Sequence, residues 1–159
     1  SFLNYINKYD NLIITRSASK AMAIAGLRVG IVISNPKLIS KIFMNKPMYE
    51  ISSIGSLFIK EIIKLNNYKL IKKSVQRLLD GKSFFINYLK KKDIDFFQGY
   101  GNFIHVNFGS SRKKIINSLQ KKIYFRANQN HRSLKNYSRI SLTNKENFKS
   151  IIKVINKFY

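Results

Sequence analysis

The hydrophobic pattern near the amino end predicts two strands and two helices. Asn11–Thr15 is an apolar run as short as a buried strand, and Gly26–Ile33 is predicted to form a second strand. Asn35-Pro36 indicates a helix start, because asparagine accepts from free backbone amides there and proline suits the first helical position. The spacing that follows Pro47 predicts another helix from about Ser53 to Leu65.

A long amphipathic helix is predicted next, because apolar residues recur every three to four positions from Tyr68 to Leu89. Lysines occupy much of its other face. Gly81 is expected to be the weak point, since a glycine inside a helix costs about 1 kcal/mol relative to alanine. The length of this helix suits a connector between two structural halves.

The pattern beyond Asp93 changes to short strands interleaved with helices. The predicted strands cover 94–97, 103–108, 123–126 and 137–142; a helix is predicted at 111–121, and another after a capping box at 143–146. Alternation separates Ile104 from His105 in one strand, and in another it turns Ile140 toward the core and Arg139 away from it.

Together these elements predict an α/β fold with three parts. The end of an α/β layer is expected over residues 1–66, a long connecting helix over 67–92, and a compact α+β unit over 93–159. No internal repeat is evident.

The chain is strongly basic, since thirty Lys and Arg against seven Asp and Glu give a net charge of +23. The lysines are spread along the chain among abundant Ile and Asn, so we interpret the charge as a compositional bias rather than a nucleic-acid surface. The absence of cysteine excludes disulfides, Cys-based zinc sites and thiol nucleophiles in these residues. Arg28 interrupts the best apolar stretch, 21–33, so we expect no membrane span and a cytoplasmic location.

The segment Ser17-Ala18-Ser19-Lys20-Ala21 carries the most informative chemistry. A lysine among small residues after a strand suits imine formation, which needs a neutral amine. Two hydroxyls beside it and Arg28 eight positions later form a good phosphate receptor, because a guanidinium makes charge-assisted bonds. These groups suit a phosphorylated aldehyde. A surface lysine and an ordinary strand arginine are the alternative interpretation.

This segment, with Ala25-Gly26-Leu27-Arg28-Val29-Gly30, resembles the lysine signature of the fold-type I pyridoxal-phosphate aminotransferases, and most of all their histidinol-phosphate aminotransferase branch. The resemblance continues through residues 11–14, 47–52, 101–104, 124–126 and 138–143, and it spans essentially the whole chain. It implies the carboxyl-terminal part of such a transferase: the end of the large cofactor-binding domain, the connecting helix and the small α+β domain.

The resemblance also implies roles around the cofactor, pyridoxal 5′-phosphate. Lys20 would form a Schiff base with its aldehyde and then shuttle the substrate proton. Ser17, Ser19 and Arg28 would bind the cofactor phosphate. The chemistry implied is amino transfer between an amino acid or amino-phosphate compound and a 2-oxo acid.

On the substrate side, the resemblance implies that Arg139 holds the carboxylate. Arg126 matches an arginine that helps to bind the far end of a substrate such as histidinol phosphate. Asn102 matches a common position and is grouped with these residues without a specified role.

Parts of the family's site are expected outside these residues. In the family, the acid that pairs with the pyridine nitrogen, a tyrosine near the ring oxygen, the ring-stacking residue and the first phosphate-binding turn all precede the lysine. Only nineteen residues precede Lys20. We therefore expect these 159 residues to be a fragment that is inactive alone, and the complete protein to be a homodimer. Met22-Ala23 departs mildly from the Phe/Tyr-Gly usual after the lysine.

Three alternatives stay open: a related decarboxylase, an aminotransferase of a sugar or surface-polymer pathway, and a basic RNA-binding domain. The last draws on 99–108, where Asn102 shifts the aromatic residues to the wrong strand face. His105 and His131 lack partners at metal-ligand spacing, so they are interpreted as ordinary residues and no metal site is expected. Tyr49 could line the site or a dimer seam, or pack in a core.

Overall fold

The computed structural model describes residues 2–120, 125–127 and 131–159. The chain divides into two compact units, Ser1–Lys72 and Lys73–Tyr159. The strands and helices follow in the order β1 Ile13–Ser17, β2 Gly30–Ser34, α1 Pro36–Met44, α2 Ser53–Ile63, α3 Leu65–Lys91, β3 Phe96–Gln98, β4 Phe103–Val106, α4 Arg112–Leu119, β5 Phe125–Arg126, β6 Ser138–Ser141 and α5 Lys145–Ile155.

The two predicted strands of the first unit are present as an antiparallel pair, β1 and β2, with Ser17 opposite Gly30. The predicted start of the second strand at Gly26 is wrong. Ala25–Leu27 forms a short 3₁₀ helix and Arg28 has a left-handed backbone with φ of 54°. Because the Leu27 and Arg28 amides donate backward along the chain, the strand begins only at Gly30.

Both helix starts of the first unit follow from their capping residues. The Asn35 side-chain oxygen accepts from the Leu38 amide at 2.9 Å, and the Ser52 hydroxyl oxygen accepts from the Gly55 amide at 3.0 Å. Each cap satisfies one of the amides that a first helical turn leaves unpaired. The predicted helices after Asn35 and Ser52 are thereby confirmed.

Much apolar surface of the first unit is exposed. Ala18 and Val29 are buried, but Ile13 of β1 is 45% exposed, so the prediction of a buried first strand is wrong for this chain. Among the described residues, β1 and β2 form a sheet of two strands. A sheet this small leaves most of both of its faces uncovered. The exposed side chains of α1, α2 and the segment between them include Phe43, Met44, Met48, Tyr49, Ile51, Ile54, Leu57 and Phe58.

The second unit is built on an antiparallel sheet with strand order β3-β4-β6-β5. One face carries buried Ile104, Val106 and Ile140 against the helices, as the alternation predicts. In the same core, the Phe85 ring of α3 stacks on the Phe148 ring of α5, with 4.4 Å between centroids. The opposite face of the sheet carries His105 and Arg139.

Gly81 has a different role from the one predicted. It is buried, and a Cβ atom there would lie 2.1 Å from the Thr143 carbonyl oxygen and 2.9 Å from the Asn144 carbonyl carbon. The absence of a side chain thus lets the backbone before α5 approach α3 closely. The expectation of a weak point is wrong, because the glycine allows this packing.

The closing helix begins one residue later than its predicted capping box. Asn144, rather than Thr143, is the cap, and its side-chain oxygen accepts from the Asn147 amide at 2.8 Å. The Thr143 hydroxyl oxygen accepts from the Asn147 side-chain amide instead. Of the strand predicted at 123–126, only 125–126 lies within the described residues, and they form β5. In the described part of the connection between β5 and β6, Arg132–Leu134 forms a 3₁₀ helix.

Candidate functional site

The lysine segment lies in the connection from β1 to β2. The Ala18 amide donates to the Val29 carbonyl oxygen at 3.3 Å, one residue beyond the Ser17–Gly30 pair. Ser19 follows Ala18 and Arg28 precedes Val29, so both residues flank this bonded pair at the end of the strands. The Ile24 amide also donates to the Ala18 carbonyl oxygen, at 3.4 Å, which draws in the intervening residues. The predicted cofactor residues Ser19, Lys20 and Arg28 therefore share one short connection, and Ser17 is the last residue of β1 before it.

The backbone of this connection is held by small buried groups. Ala18 is 1% exposed and Val29 is 7% exposed. A Cβ atom at Gly55 in α2 would lie 3.1 Å from a Val29 methyl carbon, so the first turn of α2 packs closely on the connection. Lys20 itself is exposed. The arrangement fixes the main chain around the lysine while its amine stays accessible.

Local geometry orients the Ser17 hydroxyl and sets the backbone of Arg28. The Ser17 hydroxyl oxygen accepts from the Ser19 amide at 3.1 Å, which leaves the hydroxyl hydrogen for another acceptor. Arg28 and Ala23 have positive φ of 54° and 56°. Such a backbone costs about 1 kcal/mol or more in a non-glycine residue, and strain of this kind concentrates at functional sites.

The donor set of the connection fits an anion. Among the described residues, the ion pairs are Lys46–Glu50 and Lys64–Glu61, so neither Lys20 nor Arg28 has a carboxylate partner there. Two hydroxyls, an amine and a guanidinium offer hydrogen-bond donors and positive charge to a phosphate, and the amine can also attack an aldehyde. Within the same described ranges, no group of His, Asp and Glu is placed to hold a metal ion.

The two arginines among the predicted substrate residues, Arg126 and Arg139, lie on the sheet face away from the core. Arg139 of β6 is half-buried and stands opposite Arg126 of β5. The Arg139 guanidinium carbon lies 5.0 Å from the centroid of the Phe103 ring, within the range of a cation–π contact. Two neighbouring arginines on one sheet face make a surface suited to carboxylate or phosphate groups.

Asn102 lies apart from these arginines. It is exposed in the turn before β4, and its carbonyl oxygen accepts from the Leu142 amide at 2.8 Å. It lies three residues before His105, and His105 stands opposite Arg139. The backbone of Asn102 thus bonds to that of Leu142 at the end of the sheet. Its role toward a substrate stays a prediction.

His105 also lies on this surface, although the sequence around it predicts an ordinary strand residue. It stands opposite Arg139 on one side and Phe97 on the other, and it is 7% exposed. Burial, and secondarily the charge of Arg139, lower the pKa of His105 below its usual range. The alternation along β4 and β6, which turns both residues away from Ile104 and Ile140, is the signal that pairs them.

The family model for aminotransferase class I and II matches residues 3–155. The chain therefore belongs to this family of aminotransferases. Among the described residues, no helix combines the length and the apolar character that crossing a membrane requires.

The similar proteins include histidinol-phosphate aminotransferases. That of Clostridium kluyveri is 31% identical over 158 residues, which are 99% of this chain and 44% of the relative. That of Clostridium novyi is 34% identical, over 98% of this chain and 43% of the relative. The chain thus spans less than half the length of these curated relatives.

Solved structures confirm the fold. The histidinol-phosphate aminotransferase of Clostridium acetobutylicum aligns with a TM-score of 0.82 at 22% identity, over 99% of this chain and 48% of that chain. The histidinol-phosphate aminotransferase of Sinorhizobium meliloti, solved in complex with pyridoxal-5′-phosphate, aligns with a TM-score of 0.71 at 21% identity, over 94% of this chain and 42% of that chain. The predicted likeness to part of a fold-type I transferase is therefore confirmed.

Proposed function

We propose that the complete protein carrying these residues is a pyridoxal-phosphate-dependent aminotransferase of the histidinol-phosphate type. It transfers an amino group between an amino acid or amino-phosphate compound and a 2-oxo acid. The observation that carries the proposal is the accessible Lys20 on a connection whose backbone is held by buried Ala18 and Val29. Family membership and the names of the similar proteins support the same reaction.

On the cofactor side, each residue of the connection has a separate task. When bound, pyridoxal 5′-phosphate supplies an aldehyde and an electron-withdrawing ring. The Lys20 amine is the attachment point, and once displaced by substrate it holds the transferred proton at Nζ. Ser17 and Ser19 donate hydrogen bonds to the phosphate, and Arg28 balances its charge.

On the substrate side, Arg139 binds the carboxylate. Its guanidinium faces away from the core and is supported by the Phe103 ring. Arg126, opposite Arg139 in the sheet, contributes positive charge to a second anionic group such as a phosphate. Asn102 is kept as a substrate-side residue without an assigned atom.

We also propose that the complete protein is a homodimer. Tyr49 is 90% exposed and Met48 is 80% exposed, so Tyr49 is not packed in a core of this chain. Neighbouring apolar side chains of α1 and α2 extend this surface, and such a patch is typical of an interface. Small-molecule substrates are the expected partners rather than membranes or nucleic acid. The cytoplasmic location stays a prediction.

The proposal is tested with the complete protein purified with pyridoxal phosphate. Wild type is expected to convert histidinol phosphate with 2-oxoglutarate as amino acceptor. Arg139→Ala is expected to raise the KM for the 2-oxo acid about 100-fold, because the carboxylate loses a charge-assisted partner. The visible absorbance of the bound cofactor should not change. Arg132→Ala is the matched control, since Arg132 is an exposed arginine of the 3₁₀ helix.

Two outcomes contradict the proposal. Release of carbon dioxide from amino acids without amino transfer would make the protein a decarboxylase instead. An unchanged KM in Arg139→Ala would remove Arg139 from the carboxylate site.

A further inference from the structure

The Phe103 ring joins His105 to Arg139 on one face of the second unit's sheet. The His105 ring meets it edge-on, with 5.2 Å between centroids and an angle of 70°. The Arg139 guanidinium lies over the same ring at 5.0 Å. Since His105 and Arg139 are also direct partners across β4 and β6, the imidazole is a close neighbour of this guanidinium.

The imidazole is enclosed although it lies on the face away from the core. The Phe97 ring lies 6.4 Å from it on the other side, so aromatic rings flank it along and across the strands. With 7% of its surface exposed, His105 is shielded from water. A charge on this ring is therefore screened less than a surface charge would be.

The charged groups that face His105 from the neighbouring strands are mostly positive. β6 presents Arg139, and β5 presents Arg126 one strand further on. Among the residues that the structure describes, the acid on this face is Asp95 before β3, and its carboxylate accepts a 2.6 Å hydrogen bond from the Tyr137 hydroxyl. Asp95 lies two residues before Phe97, the strand partner of His105, so the row of His105 and Arg139 itself holds no acid.

We propose that His105 is a second, proton-dependent cation of the carboxylate site at Arg139, taking up a solvent proton when a carboxylate binds. The inference rests on the proposed function of Arg139. Without an anion, burial and secondarily the neighbouring guanidinium disfavour protonation of the imidazole and lower its pKa. A bound carboxylate offsets the guanidinium charge, which makes protonation of His105 easier.

Linkage fixes the sign of the effect. Because the ligand favours protonated His105, protons must favour the ligand equally. Carboxylate binding therefore tightens as the pH falls through the range in which His105 titrates. A neutral residue at position 105 removes this contribution and leaves the contribution of Arg139.

The test uses the complete protein with bound cofactor and pyruvate, a 2-oxo acid whose single anion is its carboxylate. The dissociation constant of pyruvate is measured from the change in cofactor absorbance on adding pyruvate. The measurement is repeated at pH values from 8 to 5.5. Wild type is expected to gain about fivefold more affinity over this range than His105→Asn, in which an uncharged polar group replaces the imidazole. His131→Asn is the matched control, because His131 is exposed in the second unit and should keep the wild-type profile.

A direct measurement avoids any loss of folding in the variant. Histidine ring resonances of the wild-type protein report the pKa of His105 with and without saturating pyruvate, and the resonance that is missing from the spectrum of His105→Asn identifies it. The pKa of His105 is expected to rise on binding. An unchanged pKa, together with equal pH profiles in wild type and His105→Asn, overturns the inference.

Failure of this inference is distinguishable from failure of the proposed function. If Arg139→Ala weakens pyruvate binding while both histidine experiments show no effect, only the role of His105 is wrong. If Arg139→Ala has no effect on pyruvate binding, the carboxylate site itself is misplaced.

Discussion

Gly81→Ala is expected to destabilise the protein, although alanine is the better helix former. In most helix interiors this exchange gains about 1 kcal/mol. At Gly81 the new methyl group would meet the backbone entering α5, with the Thr143 carbonyl oxygen 2.1 Å away. The Asn144 carbonyl carbon at 2.9 Å and Cα at 3.1 Å close the same space. The outcome depends on which of the two effects is larger.

The size of the clash decides the sign. An ordinary non-bonded contact needs about 3.5 Å, so α3 and the start of α5 must separate by roughly 1.4 Å. The obstructing atoms are all main-chain atoms and have no alternative rotamer. Overpacking in such a place costs about 1–3 kcal/mol or more, and the displaced segment leads into Phe148, which stacks on Phe85. We expect a net loss of about 2 kcal/mol in the free energy of unfolding.

Urea unfolding of the complete protein measures this loss. With a slope of about 2 kcal/mol per molar, the midpoint should fall by about 1 M. Gly99→Ala is the matched control, because a Cβ atom at Gly99 would meet no other atom within 4 Å and this change should leave the midpoint nearly unaltered. A Gly81→Ala protein as stable as wild type, or more stable, would refute the close packing of α3 on the Thr143–Asn144 backbone.

Three further substitutions test the second unit. Tyr137→Phe should lower the free energy of unfolding by about 1 kcal/mol near neutral pH, because the 2.6 Å bond to Asp95 is lost. That bond raises the pKa of Tyr137, so its contribution to stability is complete below the ordinary tyrosine pKa near 10 and is lost as the pH rises through the higher folded-state pKa. In urea unfolding at increasingly alkaline pH, the stabilities of wild type and variant should therefore converge. A series without this convergence contradicts the prediction. Asn144→Ala should lower the free energy of unfolding by about 1 kcal/mol and Thr143→Ala clearly less, because Asn144 caps α5. If thermal unfolding shows the larger loss for Thr143→Ala, Thr143 is the cap instead.

Features set by neighbouring residues could be predicted from the sequence. Asn35-Pro36 defines the start of α1 because the capping bond spans three residues and depends on little else. The alternation along β4 and β6 assigns Ile104 and Ile140 to the core for the same reason. In these places the local preference and the fold agree.

Features set by distant contacts could not be predicted. Gly81 resembles a helix defect until the Thr143 backbone is seen beside it, 62 positions along the chain. The left-handed Arg28 interrupts a run, Gly26–Ile33, whose pattern predicts one continuous strand, because bonds from Leu27 and Arg28 to Ile24 and Ala25 turn the chain there. Propensity gives no signal for either arrangement.

The candidate site shows the same division. The order of Ser17, Ser19, Lys20 and Arg28 in the sequence is enough to group them, because Ser17 ends β1 and the other three lie on the connection from β1 to β2. The relation of His105 to Arg139 needs the register of β4 against β6, which joins residues 34 positions apart in the chain. A residue whose surroundings come from another strand is not identified by its own neighbours in sequence.

The central claim, that Lys20 carries the cofactor, is tested most directly by reducing the complete protein with borohydride in the presence of pyridoxal phosphate and mapping its peptides by mass spectrometry. We expect a phosphopyridoxyl group on the Lys20 peptide, and its loss in Lys20→Ala. Labelling spread over many surface lysines, or concentrated on a different lysine, would contradict this assignment.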